Sequence, residues 1–182
     1  MNYLLLLRGI NVGGKHKVPM AMLRDLLRTA GFDAVRSYIN SGNLFISSDQ
    51  PQPACEAIIT QLLTRNFDFP IDFRLLSEPE FLADLALAPD WWGADPQLRH
   101  NALFKLNTYD PSHDSWLREH VTADYDQILI TPNVIFWTST LRVHFSRSFY
   151  SKIMGTSFYR QTSARNYNTT TKLKHILEEP HD

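Results

Sequence analysis

Apolar and polar positions divide the chain into short periodic runs, and each run predicts an element. Residues 3–7 form an unbroken apolar stretch that ends at a glycine-rich loop, the pattern of a buried strand. Val18-Pro19 then opens a helix, because proline fixes φ and pushes the residue before it into extended geometry. Met22, Leu23, Leu26, Leu27 and Ala30 recur at helical spacing, and Gly31 supplies a left-handed stop. Residues 35–39 and 44–47 read as two strands joined by the tight turn Asn40-Ser41-Gly42-Asn43. A second helix is predicted over 53–66 with Ile58, Ile59, Leu62 and Leu63 inward, and Ile71, Phe73 and Leu75 alternate as a fourth strand.

Strand, helix, strand, strand, helix, strand is the order of the ferredoxin-like split βαβ arrangement, and it fills residues 1–76. Residues 77–97 read as a short helix, entered through a capping box of Ser77 and Glu80 and running to Leu87, followed by a link bearing Pro, Trp and Gly. The motif then restarts in a second half, 98–182. Its predicted elements are a strand over 101–106, a helix entered through Asp110-Pro111 with Trp116, Leu117 and Val121 inward, and strands over 127–130 and 134–138. A further strand is expected where Leu141, Val143 and Phe145 alternate, before two closing helical stretches. The expected fold class is therefore α+β: two ferredoxin-like halves of βαββαβ type, a pseudo-duplicated α/β plait without a sequence repeat.

At 182 residues and 43% hydrophobic content, the chain is large enough to bury a core without disulfide or metal staples. Its single Cys55 lies in a helical pattern and reads as a buried small hydrophobe in a reducing cytoplasm. The N-terminal apolar run lacks a basic lead-in and a small-residue cleavage site, so neither a signal peptide nor a membrane partner is expected. The net charge of -1 conceals a strong partition. Residues 1–48 hold six Lys/Arg against two Asp/Glu, 49–126 hold five against fourteen, and 127–177 hold seven basic side chains and no acidic one. Two basic ends around an acidic middle point either to an anionic partner gripped by both ends or to an acidic middle that docks against them.

The chemistry concentrates in two clusters. Arg8-Gly9-Ile10-Asn11-Val12-Gly13-Gly14-Lys15-His16-Lys17 nearly spells the phosphate-binding pattern GxxxxGK[ST], but His16 stands where a hydroxyl would reach a nucleotide's magnesium. Pro19 also delays the helix by a turn, so a nucleotide hydrolase is disfavoured, while glycine-rich backbone beside basic side chains still suits an anion. The second cluster runs from Ser163 to Leu173, where Asn168 or Thr169 is expected to cap a helix beside Arg165, Asn166 and Lys172. Arginine's planar fork and a helix N-terminus both favour phosphate or carboxylate. Between the clusters, Phe149, Tyr150, Phe158 and Tyr159 interleave with Arg147, Lys152 and Arg160, a pattern that fits either a helix's core face or a platform for unpaired bases. The seven histidines show no HExxH or paired ligand spacing, and no GxSxG elbow surrounds Ser41, which a hairpin turn accounts for.

Three stretches together, 7–15 (Leu-Arg-Gly-Ile-Asn-Val-Gly-Gly-Lys), 38–43 (Tyr-Ile-Asn-Ser-Gly-Asn) and 165–169 (Arg-Asn-Tyr-Asn-Thr) with Lys172-Leu173, resemble the bacterial family of unknown function DUF1697 over nearly the whole chain. Tyr167 stands where that family is expected to favour tryptophan. The resemblance implies two ferredoxin-like halves and no assigned activity. It brings forward Arg8, Asn11, Lys15, Ser41, Asn43, Arg165, Asn166, Asn168 and Lys172 as one polar site. With Gly13, Gly14 and Thr169, these residues form the expected ligand-binding set. The leading expectation is a binding module for an anionic, phosphate-bearing ligand in a cleft formed by the glycine-rich basic loop and the segment 165–169. The alternatives are a small-molecule enzyme acting on a phosphorylated substrate and a protein binding RNA or single-stranded nucleic acid. No cofactor and no catalytic residue are assigned.

Overall fold

The structure, a computed structural model, describes residues 1–179 and divides into two compact units: Met1–Phe81 with the described residues from Leu173 onward, and Leu82–Lys172. Residues 180–182 of the expected second half lie outside the described residues.

In the first unit, β1 (Asn2–Leu7), α1 (Met20–Thr29), β2 (Asp33–Tyr38), β3 (Asn43–Ser47), α2 (Gln52–Asn66) and β4 (Phe73–Ser77) follow in the expected order. The strands form an antiparallel sheet of order β2-β3-β1-β4. Leu5, Leu7, Leu44 and Leu75 point from this sheet into a core shared with Leu23 and Leu27 of α1 and Cys55, Ile59 and Leu63 of α2. The buried stripe of α1 differs by one position from the periodicity reading, because Met20 is buried and Met22 is exposed. Leu4, Leu6, Phe45 and Leu76, on the other face, are buried too. A strand with both faces buried needs apolar residues at every position, which is why residues 4–7 read Leu-Leu-Leu-Leu.

Ser77 ends the sheet and caps α3 (Glu78–Ala86) as expected: its backbone N–H and hydroxyl both donate to Glu80 Oε2, at 2.8 and 2.7 Å. In the second unit, β5 (Leu98–Lys105), α4 (Ser112–His120), β6 (Asp126–Ile130), β7 (Val134–Thr140) and β8 (Thr162–Asn166) build a second antiparallel sheet, β6-β7-β5-β8. The two halves therefore share one strand order, which makes the chain a pseudo-duplicated α/β plait.

The strand expected around Leu141, Val143 and Phe145 does not form. Residues 141–144 are an exposed bend with Val143 at 72% exposure and His144 at φ +60°, and two 3-10 turns follow, Phe145–Arg147 and Phe149–Lys152. The place beside β5 is taken instead by β8, after the short α5 (Ser157–Arg160). Asp126 fixes this irregular stretch: its carboxylate accepts the indole N–H of Trp137 at 2.9 Å and the backbone N–H of Phe149 at 2.6 Å. Phe149, Tyr150 and Phe158 pack around Trp137, Leu103 and Ile135, so the aromatic tract is core rather than a stacking platform. The last described element is α6 (Tyr167–Glu178).

Candidate functional site

The glycine-rich loop is a small hairpin rather than a phosphate cradle. Val12 and Lys15 form an isolated bridge, Lys15 N–H donates to the Val12 carbonyl at 3.0 Å, and Gly13 and Gly14 take φ of +57° and +75°. Two consecutive left-handed residues are what a two-residue hairpin turn of the primed type requires, and Gly-Gly supplies them without steric cost. Asn11 N–H donates to the His16 carbonyl at 3.0 Å, so two of the loop's amides serve the loop itself. A nucleotide P-loop would instead aim such amides, and the first turn of the helix, at the phosphate; here α1 begins only at Met20.

The Asn11 side chain locks this hairpin to the turn between β2 and β3. Its amide donates to Val18 O (2.9 Å) and Asn40 O (2.8 Å), and its oxygen accepts from Val18 N–H (2.8 Å). Both N–H bonds are thereby used. Asn43 behaves alike: fully buried, it donates to Tyr38 O at 3.1 Å and to the Ser41 hydroxyl at 2.9 Å. Gly42 lies between them at φ +82°, its carbonyl accepting from Leu7 N–H at 2.8 Å. The first unit thus brings Arg8, Asn11, Gly13, Gly14, Lys15, Ser41 and Asn43 to one end of its sheet, but the two asparagines there are fasteners. The outward chemistry is cationic: Lys15 and Lys17 are exposed, and His16 stacks on Phe69 at 4.5 Å.

In the second unit, Arg165 lies on β8 and is 7% exposed; its guanidinium donates to Ser163 Oγ at 2.8 Å and Ala164 O at 2.9 Å. Burial, which disfavours the charged form, pulls its pKa down to about 10. The helix cap is Asn166 rather than Asn168 or Thr169. Its side-chain oxygen accepts Thr169 N–H at 2.8 Å, so α6 starts at Tyr167 and Asn168 and Thr169 fall within its first turn. Thr170, fully buried, donates to Asn166 O at 2.9 Å, whereas Asn168 and Lys172 are exposed.

A cleft of about 480 Å³ opens where β8 gives way to α6. The last pair between β5 and β8 is Asn101 with Asn166, so residues 98–100 of β5 have a strand neighbour only on the β7 side. The cleft runs along that uncovered edge and is lined by Gly93, Arg99, His100, Asn166, Tyr167 and Asn168 among others. No acidic side chain lines it. His100 Nε2 is 2.6 Å from Asp95 O and Nδ1 is 2.8 Å from Thr138 Oγ1. A carbonyl only accepts, so Nε2 donates to Asp95 O. Trp92 braces the floor, donating to Asn101 O at 2.9 Å and meeting the Tyr167 ring edge-on at 4.8 Å.

Sequence reasoning missed Arg99 and His100, because the strand was expected to begin only at Asn101. The available signal was the pair of bulky polar residues leading directly into the apolar stretch 102–104.

Among the described residues no group of three or more His, Cys, Asp or Glu is placed to hold a metal ion. No helix among them is long and apolar enough to cross a membrane. Comparison with curated proteins finds no match. A solved structure, described as that of a conserved bacterial protein from Streptococcus pneumoniae, is 34% identical, covering 97% of this chain and 98% of its own with a TM-score of 0.89. The family model described as "Protein of unknown function (DUF1697)" matches residues 1–136, and the chain belongs to that family.

Proposed function

We propose that the protein is a binding module for an anionic, phosphate-bearing small molecule. The observation that carries this reading is the cleft at the start of α6: a concave surface at a helix N-terminus, offering the side-chain amides of Asn166 and Asn168, and with no carboxylate among its lining residues. A helix N-terminus favours negative charge through its unpaired N–H groups and its dipole. Phe149, Tyr150 and Phe158 pack on the core of the second unit, which supports the small-molecule reading over one for single-stranded nucleic acid.

The test is a thermal-shift panel of inorganic phosphate, pyrophosphate, sugar phosphates and nucleoside monophosphates, each against matched chloride. A ligand present at a hundred times its Kd stabilises by about 2.7 kcal/mol. At the scaling for chains of this size that is a rise of roughly 5–11 °C in Tm. Absence of any shift across the panel at millimolar concentration refutes the reading.

A further inference from the structure

Arg99 stands apart from the other charged residues of the second unit. Its guanidinium makes no hydrogen bond or ion pair among the described residues, and its Nε is buried without a partner. It is held by aromatic faces instead, with Cζ 4.9 Å from the centre of the Phe145 ring and 5.6 Å from that of Tyr150. Directly across the β5–β7 pair lies Ser139, 2% exposed, whose hydroxyl also has no partner. Cross-strand partners hold their Cβ atoms about 5 Å apart, so two orphaned polar groups occupy one row of the sheet. Asp126 pairs with Ser139 from the other side, yet its oxygens are taken by Trp137, Phe149, Tyr150 and Thr122.

Buried polar groups without partners cost stability, and a fold that keeps them at one place keeps them for another purpose. We infer that Arg99 is the residue that holds the ligand's oxyanion, and that the ligand is a small phosphate monoester or carboxylate carrying a flat apolar group. This rests on the reading above and sharpens it. Aromatic faces hold a guanidinium while leaving its donors unspent, and a planar fork suits two oxygens at once. Pro96, Leu98, Leu141 and the Tyr167 ring line the same cleft and give an apolar group its wall.

The probes are phenyl phosphate, benzoate and inorganic phosphate, titrated calorimetrically into wild type, Arg99→Gln, Arg99→Lys and Ser139→Ala. Phenyl phosphate or benzoate binds wild type more tightly than inorganic phosphate does, and the stronger of the two names the oxyanion. Arg99→Gln weakens that probe roughly ten- to hundredfold, the loss of a hydrogen bond to a charged group. It does so while its ligand-free melting temperature stays equal to or above wild type, a combination that a purely structural arginine does not produce. Arg99→Lys recovers only part of the affinity, because the ammonium lacks the fork. Ser139→Ala leaves the fold intact, since no bond is lost. If wild type binds phosphate-bearing probes and Arg99→Gln binds them equally well, the assignment of Arg99 falls and the phosphate reading stands. If wild type binds none of the three, both fall.

Discussion

Alanine at position 42 has to take φ near +82°, and its Cβ would come 2.7 Å from Leu7 Cβ and 3.1 Å from Ile10 Cδ1. Leu7 Cβ is anchored to the backbone of a central strand, so the contact is relieved only by moving β1 or the turn. Left-handed backbone costs an L-residue about 1–2 kcal/mol, and overpacking a filled core adds about 1–3 kcal/mol. Gly42→Ala is therefore expected to lose about 2–5 kcal/mol. Gly14→Ala is the matched control: its φ is +75° but nothing lies within 4 Å of the added methyl, so only the backbone cost of about 1–2 kcal/mol remains. All four tryptophans, residues 91, 92, 116 and 137, lie in the second unit, so far-ultraviolet circular dichroism in urea, which reads the backbone of both units, is the proper assay. Equal midpoints for Gly42→Ala and Gly14→Ala refute the claim that close approach to Leu7 fixes glycine in this turn.

Other perturbations test the fasteners and the core. Asn11→Asp keeps the acceptor for Val18 N–H but sets a carboxylate against the carbonyls of Val18 and Asn40; a loss of about 2 kcal/mol is expected, with faster hydrogen exchange at the Asn11 and Lys15 amides. Asp126→Asn replaces one accepting oxygen with a donor that faces N–H groups, at about 3 kcal/mol, read by tryptophan fluorescence in urea; an unchanged midpoint sinks the hub role given to this carboxylate. Burial, helped by Tyr159, raises the Tyr150 phenol to about 12 against Arg99 and the Asn101 hydrogen bond, which lower it. The unfolded chain then releases this proton first, near pH 10, so stability present below pH 10 is lost as pH rises toward 12. Between pH 9 and 11 wild type is expected to lose about 1.3 kcal/mol more than Tyr150→Phe, and parallel pH curves for the two contradict the burial argument.

The elements legible in the sequence were those whose burial is written in apolar period. Pro19 and Gly31 bracket α1, the Ser77–Glu80 box caps α3, and the element order of the first half follows from six apolar runs. β8 escaped because Thr162-Ser163-Ala164-Arg165-Asn166 has no apolar alternation at all, yet Thr162, Ser163 and Arg165 are buried at 2%, 3% and 7%. Its burial is conferred by its neighbours, chiefly the pairing with β5, and no local pattern encodes that. Conversely, Leu141, Val143 and Phe145 alternate perfectly and form no strand, because the chain bends at His144 and no partner edge is offered there.

The candidate site divides along the same physical line. Asparagine in a glycine-rich loop has the same donors whether it grips a ligand or its own backbone, so from sequence Asn11 and Asn43 were expected to bind a ligand. Counting donors separates the two uses. Asn11 and Asn43 have spent both side-chain N–H bonds on carbonyls and a hydroxyl of their own unit, which makes them part of the fold's cost accounting rather than a ligand's. Arg99, flanked in sequence by nothing that marks a motif, has spent none of its five on a hydrogen bond among the described residues. An arginine packed on two aromatic rings beside an open cleft, with no hydrogen bond among the described residues, carries more functional information than a glycine-rich signature whose polar groups already satisfy one another.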